Sequence, residues 1–157
     1  MKLKLKMVKK IRILLFFLII GIFIVTFLYF TQENIFEDDF ERLKIGNTEI
    51  DVELAENLTQ RSRGLSYKES IQDDYGMFFV FEESRILKFW MKDMNFPIDI
   101  IWIDENFKIV DLTLGVKPES YPMTFSPTVS SRYVLEINSG LVERYNIKIG
   151  GVVEFLK

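Results

Sequence analysis

The sequence predicts a mostly β domain with one or two short helices, folded as a compact antiparallel barrel-like or sandwich structure and preceded by a single transmembrane helix. Three observations lead to this prediction. An uncharged apolar run covers residues 13–30. About six or seven short hydrophobic runs, separated by turn residues, follow that run. Long amphipathic helical patterns are missing between them, which favours a small all-β architecture over a parallel α/β sheet.

The composition allows one compact domain and excludes several kinds of site. The chain has 157 residues and contains neither cysteine nor histidine. This rules out disulfides, thiol nucleophiles, zinc sites of the usual ligand set and a Ser-His-Asp triad. Oxygen-only metal binding through Asp73, Asp74 or the Asp104-Glu105-Asn106 turn lacks the spacing of a calcium loop, so we expect no metal and no cofactor.

The apolar run is long enough to cross a membrane. Its 18 residues, in helical form, would extend roughly 27 Å, close to the thickness of the hydrocarbon core. A cleaved secretory signal has an apolar core of about 7 to 15 residues followed by a small-residue cleavage site. Neither feature is present, so the pattern favours an uncleaved anchor over residues 13–30 that makes the membrane itself a partner.

The charge distribution predicts the orientation of this anchor. Six basic residues lie in the tail formed by residues 1–12, and acidic residues follow the span. We expect a cytoplasmic N-terminus, a linker over residues 31–45 and a soluble β domain over residues 46–157 on the outer face of the cytoplasmic membrane. The chain beyond residue 12 carries 14 basic and 23 acidic residues, a net charge of −9. Such an acidic domain disfavours nucleic acid as a partner.

The first elements of the domain are a strand and a short helix. Apolar residues alternate with acidic ones from Ile50 to Leu54, the period of two that is typical of a half-buried strand. Asn57 with Gln60 three residues later predicts a helix N-cap and capping box, and Gly64 is expected to end that helix.

The remaining elements are strands bounded by turn residues. Asp104, Glu105 and Asn106 predict the turn of a hairpin, and a helical turn is expected around Leu141–Tyr145. Three prolines predict a surface loop over Lys117–Pro127. The expected strands are Met77–Phe81, Leu87–Met91, Ile98–Ile103, Phe107–Leu112, Tyr133–Ile137 and Gly151–Leu156.

Three ordered blocks carry a family resemblance. They are Gly76–Phe81 (GMFFVF), Phe89–Lys92 (FWMK) and Pro97–Asp104 (PIDIIWID). Together they resemble the domain of unknown function 192 family over roughly Ile45 to Lys157. Flanking features agree with the resemblance: Val52–Ala55, Arg61, Gly64, Leu65, Tyr133–Glu136 and Gly140.

The resemblance implies a compact β-rich, barrel-like fold of prokaryotes, often behind an export signal or anchor, and no established activity. This sequence departs from the family pattern at three places. Ser66 stands where the family typically has Met, Asp93-Met94 where Asn-Thr is common, and Gly151 where Asp commonly follows the glycine.

The polar and amphipathic residues of the matched blocks are the candidate ligand-binding residues. Alternation along a strand places Asp99 on the side opposite Ile98, and places Trp90 and Lys92 on one shared side. An indole beside an ammonium and a carboxylate is able to bind a sugar, a peptide terminus or an acidic small molecule. The competing interpretation is structural, with Asp99 paired to Lys92 or Arg61 and Trp90 in the core. The full candidate set is Trp90, Lys92, Asp99, Arg61 and Glu53.

These observations favour a non-catalytic binding or accessory module for a small polar ligand, an envelope polymer or an envelope protein. No residue is assigned a catalytic role in that interpretation. One alternative is a small hydrolase with paired carboxylates, Asp99 with either Asp111 or Glu53. Another is a purely structural protein-interaction module.

Overall fold

The computed structural model describes residues 15–24, 26 and 41–156. The chain divides into two units, Met1–Asp39 and Phe40–Lys157. In the first unit, residues 15–24 are helical and expose large apolar side chains. The predicted basic tail, part of the predicted span and most of the predicted linker lie outside the described residues. Within the described residues, no helix has both the length and the apolar character needed to cross a membrane.

The second unit is mostly β, with a few short helices, as predicted. Its helical elements are α1 (Leu58–Arg63), α2 (Leu141–Arg144) and a 3-10 turn (Pro118–Ser120). Its strands are β1 (Glu41–Ile45), β2 (Thr48–Ala55), β3 (Tyr75–Arg85), β4 (Phe89–Trp90), β5 (Ile98–Ile103), β6 (Ile109–Val116), β7 (Thr124–Phe125), β8 (Ser131–Asn138) and β9 (Val153–Leu156).

One seven-stranded sheet forms the body of this unit, in the order β6-β5-β8-β3-β2-β1-β9. Strands β2 and β3 are parallel, and the other neighbours are antiparallel. A parallel pair needs a crossover connection, and the segment that contains α1 supplies it. Strands β4 and β7 form a separate two-stranded sheet.

The sheet is open and contains one parallel pair, so of the predicted barrel-like or sandwich alternatives the closed, antiparallel barrel is wrong. The residues just before its edge strands β6 and β9 are joined by a single bridge, between Lys108 and Val152, and not by a ladder. Strand β9 has only four residues. The sheet is mixed because the chain returns through α1 and lays β3 beside β2 in the same direction.

Hydrophobic side chains cover both faces of the sheet, which explains why every residue of β5 is buried. We call the side of the sheet that carries Phe78, Ile101 and Leu135 face A. Face B is the side of Met77 and Ile100. The two charged residues buried in these strands, Asp99 of β5 and Glu136 of β8, therefore each lie in one of two apolar layers.

The capping box predicted for α1 is confirmed. The amide of Gln60 donates to the Asn57 side chain at 2.9 Å, and Gln60 Oε1 accepts from the amide of Asn57 at 3.1 Å. Gly64 ends the helix with a positive φ of 51°, which an L side chain adopts only with strain. The sequence thus determined both ends of α1 through local chemistry.

Most predicted strands are confirmed, but three differ from the prediction, among them Gly151–Leu156, where β9 begins only at Val153. The run Leu87–Met91 contains only the two-residue β4, whose partner β7 lies inside the loop predicted over Lys117–Pro127. Strand β6 begins at Ile109 because Phe107 has a left-handed backbone, φ 59°, in the turn. Strand β1 was not predicted and occupies the end of the segment assigned to the linker.

Candidate functional site

A cavity of about 240 Å³ opens between α1, the outer half of β3 and β4, above face B. We call it the α1 pocket. Its inner end is formed by Phe79 and Glu136, of which only 1% and 4% is exposed. Gly64 lines it too, and a Cβ atom there would lie 3.4 Å from Phe79 Cζ and 3.9 Å from Glu136 Oε2. The missing side chain of Gly64 therefore helps to keep the pocket open.

Aromatic rings form one wall of the α1 pocket. The Phe89 ring packs edge-on against Phe79 at 4.9 Å and against Phe81 at 6.3 Å between centroids. Trp90 lines the mouth with 53% of its surface exposed and meets Tyr121 edge-on at 6.4 Å. An indole that is only half covered leaves a flat apolar surface on which a ring of a ligand is able to stack.

Four cationic side chains surround the same cavity: Arg61, Arg63, Arg85 and Lys88. None of the four forms an ion pair with a carboxylate of the described residues. The guanidinium groups of Arg61 and Arg85 lie over the Phe81 ring at 5.0 and 5.4 Å from its centroid. In a domain with an excess of acidic residues, this is a local concentration of uncompensated positive charge.

Glu136 is the one acidic side chain among the residues that line the α1 pocket. In the sheet it lies between Met77 of β3 and Ile100 of β5, two buried apolar neighbours. Its carboxyl group has no hydrogen-bond or ion-pair partner within the described part of the chain. Burial raises the pKa of Glu136 to about 8 because the charged form loses its hydration. At neutral pH the inner end of the pocket is therefore mainly uncharged.

The geometry above lies entirely within a segment that matches a known family. Residues 41–155 match the profile of DUF192, the domain of unknown function 192 family, described as "Uncharacterized ACR". The chain belongs to this family. The expectation drawn from the GMFFVF, FWMK and PIDIIWID blocks is thereby confirmed for the family, while the added membrane anchor has no support from the match.

Similar proteins include one curated relative and two solved structures. A UPF0127 protein from Thermococcus gammatolerans is 29% identical over 106 residues, which cover 66% of this chain and 65% of the relative. The chain thus spans a little under two thirds of that relative's length.

Both solved structures resemble the fold of the second unit. A structure from Sinorhizobium meliloti, described as a proposed transcription regulator, has a TM-score of 0.71 and 30% identity, with 74% of this chain and 93% of that chain covered. A protein of unknown function from Novosphingobium aromaticivorans has a TM-score of 0.70 and 25% identity, with 73% and 84% covered. Neither description assigns a ligand.

Two of the five predicted site residues line the α1 pocket, Trp90 and Arg61. Arg61 is also tied to the fold, because its Nη1 donates to the backbone oxygen of Val80 at 2.9 Å and to that of Glu56 at 2.5 Å. These bonds hold α1 against β3. Trp90 is half exposed, so it does not occupy the core position that the structural interpretation gave it.

Lys92 lies in a second, more open depression of about 450 Å³ beside the α1 pocket. The two cavities share Leu58, Ser62, Arg63 and Ser66, and the second one adds Thr59, Tyr67, Lys92 and Asp93. Ser66 Oγ donates to the backbone oxygen of Lys92 at 2.8 Å, which fixes the wall between them. Trp90 and Lys92 therefore belong to neighbouring cavities and not to one shared surface.

Asp99 lies on face A, away from the α1 pocket, and is 1% exposed. Its carboxylate accepts three backbone N–H groups, from Gly115 at 2.8 Å, Gly140 at 2.9 Å and Val142 at 3.1 Å. The predicted ion pair of Asp99 with Lys92 or Arg61 is wrong. Asp99 instead joins β5 to the end of β6 and to the start of α2.

Glu53 is on face B, next to Met77, and accepts from Tyr75 Oη at 2.7 Å and Lys68 Nζ at 3.2 Å. Asp111 is paired with Trp102 in the sheet, which also places it on face B. Asp99 is on the opposite face from both, so neither predicted carboxylate pair is able to act on one bond. The described residues also contain no group of three or more acidic side chains placed to hold a metal ion.

Four residues that line the α1 pocket were not predicted as site residues: Glu136, Arg63, Arg85 and Lys88. A signal for Glu136 was present, since it is a single charge inside the hydrophobic run Tyr133–Ile137. A strand buried on both faces has no solvent side to which such a charge could point. The three cations had no comparable signal, because exposed Arg and Lys are ordinary on any surface.

Proposed function

We propose that this chain is a non-catalytic binding module, and that the α1 pocket takes a small molecule with an oxyanion attached to a flat, largely apolar ring. The observation that carries the proposal is the set of four cations around an aromatic-walled cavity, none of which has an ion-pair partner among the described residues. A carboxylate or phosphate supplies the charge that these cations lack. An aromatic ring or the apolar face of a sugar ring fits against the indole of Trp90.

The electrostatics favour a pocket ligand over a nucleic acid. The Sinorhizobium meliloti protein is described only as a proposed transcription regulator, and direct binding to nucleic acid would require a basic surface that follows a phosphate backbone. In this chain the cations are gathered around one cavity, and the sequence beyond residue 12 has a net charge of −9. A small anion is therefore the better candidate.

Residues 13–30 are proposed to hold this module at the outer face of the cytoplasmic membrane, with residues 1–12 in the cytoplasm. The support is the uncharged 18-residue run and the six basic residues before it. Expressed in bacteria, the full chain should float with membrane vesicles and resist carbonate extraction, and protease should degrade the domain only when it is added to the outer side. Full release by carbonate, or protection of the domain in intact spheroplasts, would contradict the anchor or its orientation.

Tryptophan fluorescence tests the binding proposal directly. The chain has two tryptophans; Trp102 is fully buried and Trp90 lines the pocket, so a ligand in the pocket should change the emission of Trp90. Suitable probes are benzoate, phenyl phosphate and N-acetylmuramic acid, with benzamide and N-acetylglucosamine as neutral counterparts. We expect saturable changes with the anions, weaker ones with the neutral compounds, and loss of the signal in Trp90→Phe.

A pair of charge reversals provides the matched control. Lys88→Glu should weaken binding of the anions at least about tenfold, because it replaces an attractive charge at the pocket by a repulsive one. Lys148→Glu makes the same change in net charge at an exposed position away from the pocket and should leave binding within about twofold. Equal effects of the two substitutions, or no saturable signal with any anion, would refute the proposal.

A further inference from the structure

Glu136 stands apart from the cations that make the α1 pocket attractive to anions. It is an acidic residue at the inner end of an anion-binding pocket, which would oppose binding if it carried a charge. We propose that Glu136 binds the ligand as a neutral acid, donating its proton in a hydrogen bond to the oxyanion, so that the pocket takes up an anion together with a proton. This inference rests on the proposed function and names how its site recognises the anion.

Glu136 has no hydrogen-bond donor or ion-pair partner among the described residues that would stabilise its carboxylate. Its neighbours across the sheet are Met77 and Ile100, and no donor of the described residues is bonded to it. A buried carboxylate without a partner is costly, and the group responds by keeping its proton. With the pKa raised to about 8 by burial, Glu136 is mainly protonated at pH 7.

The charged groups that face the pocket are all cationic apart from Glu136. Helix α1 supplies Arg61 and Arg63, strand β3 supplies Arg85, and the segment between β3 and β4 supplies Lys88. Strands β4 and β5 contribute only apolar residues there, Phe89 and Trp90 to the lining and Ile100 beside Glu136. The ligand's charge is balanced by the cations while its oxygen accepts the proton-bearing hydroxyl of the buried acid.

A hydrogen bond from a neutral acid to an oxyanion is short and strong, because the acceptor is charged. Ionisation of Glu136 replaces that bond by the repulsion of two anions in a small cavity of low polarity. Affinity for the anion must then fall as the pH rises through the pKa of Glu136. Carboxylates and phosphates both accept such a hydrogen bond. Comparing benzoate with phenyl phosphate shows which of the two ligand classes the pocket prefers.

The substitution Glu136→Gln tests whether the ionisation of Glu136 causes the pH dependence of binding. Glutamine has nearly the same shape and keeps a hydrogen-bond donor, but it does not ionise. Since the native group is already neutral at pH 7, the variant should fold. Its affinity for benzoate should be independent of pH, while that of the parent should fall by about tenfold for each pH unit above about 8.

The experiment measures benzoate and phenyl phosphate affinity of the full chain by Trp90 fluorescence between about pH 6 and about pH 10, in parent and Glu136→Gln. Calorimetry of the parent near pH 9 in two buffers of different ionisation heat should show uptake of nearly one proton per ligand, and almost none near pH 6. Binding that is equally independent of pH in both proteins, without proton uptake, would overturn this inference and leave the binding proposal intact. Absence of binding at every pH would instead refute the binding proposal itself.

Discussion

At the scale of single residues, Glu136 is the feature that best separates a binding site from an ordinary strand. The residues on either side of Glu136 in β8 are apolar. A hydrophobic side chain would occupy this position if stability alone determined the residue there. A buried acid without a partner lowers stability at any pH where it is charged in the unfolded chain. The residue is therefore expected to be retained for what it does at the α1 pocket.

The pH dependence of stability tests this residue without any ligand. The folded pKa of about 8 exceeds the ordinary value of 4.5, so the folded state holds a proton that the unfolded state has lost between these two values. The contribution of Glu136 to the free energy of unfolding is most favourable below about pH 4.5. It falls as the pH rises toward about 8 and levels off above that pH. The slope from one proton is at most about 1.4 kcal/mol per pH unit.

Urea unfolding of the full chain across this range, in parent and Glu136→Gln, provides the measurement. The difference in unfolding free energy between the two proteins should grow in favour of Glu136→Gln as the pH rises. Since other titrating groups are common to both, they cancel in the comparison. Parallel curves across the whole range would show that Glu136 ionises normally in the folded chain.

At the scale of elements, Asp99 shows why a matched motif and a binding site differ. Sequence alternation correctly placed Asp99 on the side opposite Ile98, but that side is face A, which is covered by apolar residues. Its three backbone N–H donors come from Gly115, Gly140 and Val142, about 16 to 43 residues away in sequence. Local pattern predicts the direction of a side chain, whereas only the tertiary fold supplies such distant partners.

Asp99→Asn should therefore weaken the fold and not the ligand site. The amide offers one acceptor oxygen where the carboxylate offers two, and its NH₂ group faces backbone donors. We expect a loss of about 2–4 kcal/mol in the free energy of unfolding, measured by urea denaturation. Affinity for benzoate in the folded fraction should stay within about twofold.

Asp74→Asn serves as the matched control, because Asp74 is exposed and its side chain has no hydrogen bond or ion pair within the described residues. It should change stability by less than about 0.5 kcal/mol. If Asp99→Asn were equally mild and abolished anion binding, Asp99 would have to be assigned to the site.

The elements themselves were predictable to different degrees for physical reasons. The ends of α1 depend on contacts within a few residues, Asn57 with Gln60 and the positive φ of Gly64, so sequence alone identified them. Strand β4 has only two residues, because the predicted run Leu87–Met91 packs under the proline-containing loop. Within that run only Phe89 and Trp90 pair with another strand, which is β7. The open sheet was missed because the parallel pairing of β2 with β3 is a long-range choice.

At the scale of the whole molecule, charge is distributed unevenly. The segment beyond residue 12 has a net charge of −9, yet the α1 pocket gathers four of its 14 basic residues. A field of this kind attracts anions to one cavity while the acidic surface repels them elsewhere. Composition predicted that nucleic acid is a poor partner, but only the fold brings Arg61, Arg85 and Lys88 around one opening.

The most direct test of the α1 pocket as the functional site is an NMR titration of the full chain with benzoate. A ligand in the α1 pocket should shift the signals of the indole N–H of Trp90 and the amides of Gly64 and Arg85, with little change at Gly115 and Gly140 around Asp99. Shifts that cluster at Gly115 and Gly140, or no shifts at saturating benzoate and phenyl phosphate, would contradict this prediction.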